Sequence, residues 1–430
     1  MGVRLAALLA IVMLGAGLAS APAFAGSGWS PPLILSSGDF PADTELASDR
    51  RGRITAVQSI RVDQQDQLIA RRMTAAGTLQ DDVVTVTGLE RVIPAYDVAD
   101  DDGDAVVVWQ IYTGDEIQWQ VFARRISRTG ELGPVVRVSD PAETSSLNGV
   151  AVAPDGMATI VYQRGIAEGE SATVVVRLRP NSGLGQRTYL PFSDHPPHPV
   201  VSRSGHVAFA LSGTPDLTAR AVRVAPDGQI RMRRLTPDLA GDDGTADVGV
   251  DRHGNVYAVV ARQDWNRAWV RTWRRDGSLG RARWISPPGE QAPYVLIRTD
   301  LDGDSVVLWS RYHEDHSLRV SGRWWSGRLG PLHRLGEMDG PTSVTLQFPS
   351  WSASIDDDGD AVLAWEIVNL DAGGERLRVT RVTRSGRFTD VRDLGRGGNT
   401  STTTTPEGRH YLTYFRNDPF DDKVLLRIHD

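Results

Sequence analysis

One glycine recurs along this chain at a nearly constant spacing, and this spacing restricts the possible folds more than any other feature. It stands at positions 52, 103, 156, 205, 254, 303, 359 and 408, at intervals of 49 to 56 residues. A short apolar segment follows each copy, for example Ala105–Trp109 and Ala361–Trp365. Self-similarity with a period of this length indicates an array of repeated supersecondary units.

A second glycine marks the first seven repeats, 23 to 27 residues after the first, at positions 77, 130, 183, 228, 277, 327 and 386. Apolar segments lie on both sides of it, for example Val121–Ile126 and Pro134–Val138. Each repeat therefore predicts four strands joined by glycine-containing hairpins. Tandem β-sandwiches would need about 100 residues per unit, and a β-helix has periods of roughly 20 to 30 residues. The sequence thus predicts an all-β protein with a single β-propeller of about eight four-stranded blades, with seven blades as the alternative.

The eighth repeat is incomplete, because the chain stops before its fourth strand. Near the other end, Pro32–Ser37 matches Pro134–Ser139, the segment that supplies this strand in an earlier repeat. We expect Pro32–Ser37 to pair with Val424–Ile428 and to close the ring. An open ring would leave strand-edge backbone groups without partners.

The N-terminal segment has the pattern of a secretory signal peptide. Arg4 precedes an apolar run over residues 5–18, and Ala23 and Ala25 fit a cleavage site of small residues. We expect cleavage near Ala25, a β-propeller domain over 26–430, and a secreted, extracellular protein. The run is shorter than a membrane span and contains glycines, and no second apolar run follows, so we expect no membrane span.

The remaining composition limits cofactors and partners. The chain has no cysteine, so packing and strand pairing must stabilise it without disulfides, which a mature chain of about 405 residues is large enough to allow. The net charge is −7, and becomes −8 if Arg4 is removed with the signal (−7 − 1 = −8). Because nucleic-acid binding needs a clustered positive surface, we expect no nucleic-acid partner. We expect a monomer.

Three repeats carry the pattern Asp-x-Asp-Gly-Asp at the first glycine. Alternating carboxylates at a tight turn can surround a calcium ion. The pattern resembles the calcium loops of integrin-type propeller repeats, although their later acidic ligand is absent here. The alternative is an Asp-Gly hairpin turn that needs no metal. We expect no required cofactor, with calcium as a candidate ion at Asp100, Asp102, Asp104, Asp300, Asp302, Asp304, Asp356, Asp358 and Asp360.

Aromatic residues stand six positions after several first glycines, among them Trp109, Trp309 and Trp365. An aromatic residue after a turn glycine resembles the Asp-box of sialidase-like propellers, although the Asp-box tryptophan follows its glycine by three positions. The resemblance supports the fold rather than an activity, and we expect these tryptophans to pack between blades. As a whole, the chain resembles secreted bacterial β-propeller repeat proteins.

Four repeats place an arginine two positions beyond that aromatic position: Arg164, Arg262, Arg311 and Arg416. They begin loops on the face of the ring opposite the glycine turns. A ring of arginines at the channel mouth could bind a carboxylate, sulfate or phosphate, and we take these four as candidate ligand-binding residues. The alternative is a set of local ion pairs with acidic residues of the neighbouring loops.

No Gly-rich phosphate loop, nucleophile elbow or Cys–His pair is present in the sequence, so we assign no catalytic residue. The sequence favours a non-enzymatic extracellular or envelope binding or scaffold module, with a glycan or a protein as its partner. The alternative is a secreted carbohydrate-active hydrolase or lyase with its site on the loop face around the channel. That alternative depends on analogy at the level of the fold.

Overall fold

The structure is a computed structural model, and it describes residues 28–37, 44–90, 93, 95–113, 118–165, 171–181, 183–193, 198–212, 218–236, 243–262, 267–290, 292–312, 318–337, 351–369, 374–416 and 423–429. All regular secondary structure in these ranges is β-strand, and the strands form eight four-stranded sheets. The eight predicted blades are therefore confirmed, and the alternative of seven is excluded.

Each blade is an antiparallel meander of four strands. Blades 1 to 4 contain β2 (Thr44–Ser48), β3 (Ile54–Val62), β4 (Gln65–Met73), β5 (Leu79–Thr85); β6 (Ala95–Asp101), β7 (Asp104–Thr113), β8 (Gln118–Ile126), β9 (Val136–Arg137); β10 (Thr144–Val152), β11 (Ala158–Gly165), β12 (Ala172–Leu178), β13 (Thr188–Pro191); and β14 (Val200–Val201), β15 (Val207–Leu211), β16 (Arg220–Val224), β17 (Ile230–Arg234).

The second half of the ring has the same organisation. Blades 5 to 8 contain β18 (Asp243–Val250), β19 (Val256–Arg262), β20 (Ala268–Trp273), β21 (Arg283–Trp284); β22 (Val295–Thr299), β23 (Ser305–Tyr312), β24 (Leu318–Trp325), β25 (His333–Glu337); β26 (Trp351–Ile355), β27 (Ala361–Asn369), β28 (Gly374–Val382), β29 (Arg392–Arg396); and β30 (Gly398–Thr404), β31 (His410–Arg416), β32 (Lys423–His429), with β1 (Leu33–Ser37) as the fourth strand.

The first strand of every blade contacts the first strands of both neighbouring blades, from β2 round to β30 and back to β2. These eight strands therefore line a closed central channel. In a meander, the turns between strands one and two and between strands three and four lie at the same end of the sheet. Both glycines of each repeat consequently lie on one face of the ring, which we call the glycine face.

The hydrophobic core is divided among the contacts between blades. The described residues form eight clusters of buried apolar side chains, and each cluster joins two neighbouring blades. Trp109, Trp309 and Trp365 are at most 2 % exposed and belong to the clusters between blades 1 and 2, 5 and 6, and 6 and 7. The predicted packing role of these tryptophans is confirmed.

The ring closes through the N-terminal strand, as predicted. β1 pairs with β32 in antiparallel register, from Leu33 opposite Leu426 to Ser37 opposite Lys423. Leu35 is 1 % exposed and packs in the cluster between blades 8 and 1, which includes Leu46 and Ile54. The two ends of the chain thus form one blade, and Leu35 packs with Tyr411, Val424 and Leu426 of that blade against the next one.

The recurring first glycine has two structural reasons, seen clearly at Gly303. Its φ is +94°, a backbone conformation that L side chains rarely adopt. A Cβ placed there would lie 2.0 Å from the Tyr257 hydroxyl oxygen of the preceding blade. The turn therefore needs glycine both for its backbone and for close approach between blades.

Within the described ranges, no helix is long and apolar enough to cross a membrane. Residues 1–25, to which we assign the signal peptide, lie outside the described residues, so the signal and the extracellular location stay predictions.

Candidate functional site

The turns at the first glycines position most of the acidic residues singled out from the sequence. In blades 6 and 7 the residue three positions before the glycine holds the turn through its side chain: Asp300 Oδ1 accepts the backbone N–H groups of Asp302, Gly303 and Asp304 at 2.8–2.9 Å. Asp356 Oδ1 accepts those of Asp358 and Asp360 at 2.9 and 2.8 Å. Local bonds of this kind explain why Asp, Ser or Thr recurs there.

The other two aspartates of the motif also have structural partners. Asp102 forms an ion pair with Arg51 of the preceding blade, with Arg51 Nε 2.6 Å from Asp102 Oδ1. The third aspartate reaches the second-glycine turn of its own blade, where Asp104 Oδ1 accepts the Arg128 N–H at 2.9 Å and Asp360 Oδ1 accepts the Arg384 N–H at 2.7 Å.

The described residues contain no group of three or more His, Cys, Asp or Glu side chains that could hold a metal ion. Calcium binding at the nine aspartates stays a prediction.

The four candidate arginines lie at the ends of second strands, one strand away from the channel. Arg164 pairs with Glu143, and Arg311 pairs with Glu290, at 2.9 and 2.8 Å. Glu143 directly precedes the first strand of its blade, and Glu290 lies a few residues before the first strand of its blade. Arg416 is exposed at the end of β31, and the side chain of Arg262 lies outside the described residues. Ligand binding by these four residues stays a prediction.

The glycine face carries a feature that sequence reasoning did not identify, a cavity at the mouth of the central channel. Its volume is about 240 Å³, and all eight blades contribute to its wall. The wall is formed by residues just before the first glycines: Ser48, Asp49, Arg50, Asp100, Asp101, Val152, Pro154, Val201, Ser202, Arg203, Val250, Thr299, Asp300, Leu301, Ile355, Asp356, Asp357, Thr404, Thr405 and Pro406.

Among the described residues, two ion pairs join wall residues of different blades. Arg50 forms a bidentate ion pair with Asp101 of the next blade, with Nε 2.6 Å from Oδ1 and Nη2 3.1 Å from Oδ2. Arg203 of blade 4 pairs with Asp357 of blade 7, and these blades are three positions apart in the ring. The second pair therefore crosses the channel mouth, whereas the first follows its rim.

Burial alters the acidity of the carboxyl groups in the wall. It raises the pKa of Asp100 to about 6, although the Thr55 hydroxyl and Arg72 both lower it. It raises the pKa of Asp300 to about 6 as well, against the three backbone N–H groups that favour the anion. Both carboxyl groups are therefore partly protonated at weakly acidic pH.

Hydroxyl groups join the channel-lining strands of blades 7, 8 and 1. The Ser352 and Thr402 hydroxyls lie 2.7 Å apart, those of Ser354 and Thr404 2.6 Å apart, and Ser48 donates to the Thr404 carbonyl at 2.9 Å. The serine and threonine run at 401–405 thus acts as a polar seam between blades.

A sequence signal for the mouth does exist. The position two before each first glycine varies strongly beside a constant turn, reading Arg50, Asp101, Pro154, Arg203, Arg252, Leu301, Asp357 and Pro406. Because the repeats fold alike, these positions lie at equivalent points of each blade and form a ring around the central channel. Only the closed ring shows which arginines and aspartates meet.

No protein-family model matches the sequence, and a search of curated proteins finds no match. Among solved structures, the chain is similar to a protein of unknown function from Dyadobacter fermentans, with 10 % identity, TM-score 0.43, and coverage of 92 % of this chain and 97 % of that one. It is similar to the β-propeller domain of the Trilobed protease from Pyrococcus furiosus, with 9 % identity, TM-score 0.46 and coverage of 83 % and 98 %.

A third similar structure is an ulvan lyase from a new family of polysaccharide lyases, with 10 % identity, TM-score 0.48 and coverage of 76 % and 90 %. Similarity at this level carries no information on activity. The assignment of the β-propeller fold comes from the eight sheets of the chain itself and from their closed ring.

Proposed function

We propose that this protein is an exported, non-enzymatic binding propeller that takes its ligand at the channel mouth of the glycine face. The cavity of about 240 Å³ carries this proposal, because all eight blades converge on it. Concave sites with a few convergent polar groups are where ligands bind most often. The wall presents arginine, aspartate, serine and threonine side chains, which suits a polar ligand such as a glycan or a protein loop.

The carboxylates of the wall support binding rather than turnover. Asp300 and Asp356 use one oxygen each to hold their own turns, and Asp49 Oδ1 accepts the N–H groups of Arg51 and Arg53 at 2.8 Å. Groups engaged in this way stabilise the mouth as a rigid rim. A rigid rim reduces the entropy lost when a ligand binds.

Two matched substitutions test the site. Val201 lines the mouth and is 37 % exposed, whereas Val83 lies on an outer strand and is 44 % exposed. A ligand is first identified with the purified protein on a glycan array and in a partner pull-down. We expect Val201→Trp to weaken its binding at least tenfold by filling the cavity, and Val83→Trp to leave it unchanged. Equal binding by both variants would place the ligand elsewhere.

One observation favours the second candidate function, a carbohydrate-active hydrolase or lyase. Asp100 and Asp300 line the same mouth, and burial raises the pKa of each to about 6, which suits a general acid. Incubation with a panel of neutral and anionic polysaccharides tests it. Turnover that disappears in both Asp100→Asn and Asp300→Asn would support the enzyme, and binding without turnover would support the binding module.

A further inference from the structure

Another cavity on the glycine face lies between blades 4 and 5, away from the channel mouth. Its volume is about 130 Å³. Its wall combines the start of the second strand of blade 4, the third and fourth strands of that blade, and the second-glycine turn of blade 5. The lining residues are His206, Arg223, Ala225, Gln229, Arg231 and Arg275.

Three guanidinium groups and an imidazole therefore meet in this wall, and no carboxylate of the described residues lines it. Arg223 is fixed rather than neutralised, because it donates to the carbonyl oxygens of Gly254 and Arg275 at 2.9 and 3.2 Å and lies 4.5 Å above the Trp273 ring. Within the described part of the chain, neither Arg231 nor Arg275 forms an ion pair with a carboxylate. Elsewhere in this protein, arginines on the same face do form such pairs.

The nearby acidic residues are engaged in their own turns. Asp227 Oδ1 accepts the Gln229 N–H at 2.9 Å, and Asp276 Oδ1 accepts the Ser278 N–H at 2.8 Å. Asp251 accepts the His253 N–H and the Tyr257 hydroxyl at 2.9 and 3.1 Å. These three carboxylates reduce the positive potential of the cavity but do not line it.

Comparison between blades shows that this turn lacks the carboxylate that blades 2 and 7 place directly after the first glycine. In blades 2 and 7, the carboxylates of Asp104 and Asp360 accept the backbone N–H of the second-glycine turn. In blade 5, the equivalent acceptor of the Arg275 N–H is the neutral side chain of Asn255, at 2.8 Å. The turn hydrogen bond is kept with an uncharged amide as the acceptor, and the Asp276 carboxylate of the same turn accepts the Ser278 N–H.

The arginines also affect each other's ionisation. Burial lowers the pKa of Arg223, and Arg231 and Arg275 lower it further. Burial lowers the pKa of His206, and the positive charges of Arg223 and Arg275 lower it further. His206 Nδ1 is buried and has no hydrogen-bond partner within the described structure. A bound anion would relieve this repulsion between like charges.

We propose that the cavity between blades 4 and 5 binds a tetrahedral oxyanion, sulfate or phosphate, either as the free ion or as an ester group on a larger ligand. Guanidinium groups suit such oxygens because they donate in a planar fork. The cavity has room for one such group. This site is separate from the channel mouth and does not depend on the function proposed there.

The test is calorimetric titration of the purified protein at low ionic strength with inorganic sulfate, inorganic phosphate and a sulfated oligosaccharide. We expect millimolar or tighter binding of at least one probe. Binding of an inorganic ion would show that the free ion is a sufficient ligand for the cavity. Binding of the sulfated oligosaccharide alone would show that the ligand is an ester group on a larger molecule. Absence of binding by all three probes would overturn the proposal.

Three variants locate the site. Arg275→Gln should weaken binding by about tenfold or more, because charge-assisted bonds to oxyanions are the strong ones. Asn255→Asp should weaken it without removing any arginine, and the pairs Asp300/Asp304 and Asp356/Asp360 show that this turn accepts a second aspartate. Arg384→Gln is the control, because Arg384 occupies the equivalent turn beside the Asp360 carboxylate. Equal losses in all three variants, or none in any, would refute the assignment.

Discussion

Closure of the ring by the N-terminal strand can be tested by removing residues 26–40. This truncation deletes β1, leaves the outer edge of β32 unpaired, and uncovers Val424 and Leu426, which are at most 1 % exposed in the intact ring. An unpaired apolar edge also invites association with other chains. We therefore expect both a lower melting temperature and self-association of the truncated protein.

The energetic contribution of β1 is concentrated in one side chain. Leu35 is 1 % exposed, whereas its neighbour Ile34 is 52 % exposed. Replacement of a buried leucine by alanine costs about 2–5 kcal/mol, so we expect ~3 kcal/mol for Leu35→Ala and well under ~1 kcal/mol for Ile34→Ala.

These energies predict measurable shifts in melting temperature. An unfolding entropy of about 2 cal/mol/K per residue gives roughly 0.8 kcal/mol/K for a chain of this size, so ~3 kcal/mol lowers the midpoint by about 3–4 °C. Thermal melting followed by circular dichroism measures this, and the truncation should lower the midpoint further than Leu35→Ala. If the truncated chain melted at the same temperature as the intact one, β1 would not stabilise the ring and the reasoning would be refuted.

Three further predictions concern the turns and their acidic residues. Gly303→Ala should lower the free energy of unfolding by about 2–4 kcal/mol, because it combines a positive φ with displacement of Tyr257. Gly289 has a φ of +78° but no neighbouring atom within 4 Å, so Gly289→Ala should cost only about 1 kcal/mol. Urea denaturation measures both, and equal costs would contradict the inter-blade contact. Because burial raises the folded-state pKa of Asp100 from 3.8 to about 6, the folded state binds more protons than the unfolded state between these values, and the stability contributed by this group is lost as pH rises through 6. Asp100→Asn, which keeps an acceptor for the Thr55 hydroxyl, should therefore flatten the stability profile between pH 4 and 7 by about 1–3 kcal/mol, and an unchanged slope would show that the carboxyl is not the source. A chelator should leave the melting midpoint unchanged, because the turn aspartates are held by N–H groups and arginines, and a lower midpoint would instead assign calcium.

The candidate site was only partly predictable. The aspartates before Gly303 and Gly359 were identified from the sequence, but their alternation suits both a metal and a turn, and the local hydrogen bonds of Asp300 and Asp356 appear only in the fold. The pair formed by Arg203 and Asp357 joins residues more than 150 positions apart. No local pattern encodes such a meeting, because it follows from where two blades stand in a closed ring.

The sequence by itself predicted the strands, a count of about eight blades and the closing strand, because each of these depends on local chemistry that repeats. The structure then excluded the alternative of seven blades. Glycine is needed at a positive φ, alternating apolar residues form strands, and a missing fourth strand has one matching segment near the N-terminus. Only the tertiary structure decided which charged groups share a cavity, at the channel mouth and between blades 4 and 5. The physical reason is that turns and strands depend on neighbours in the chain, whereas pKa values, ion pairs and cavities depend on neighbours in space.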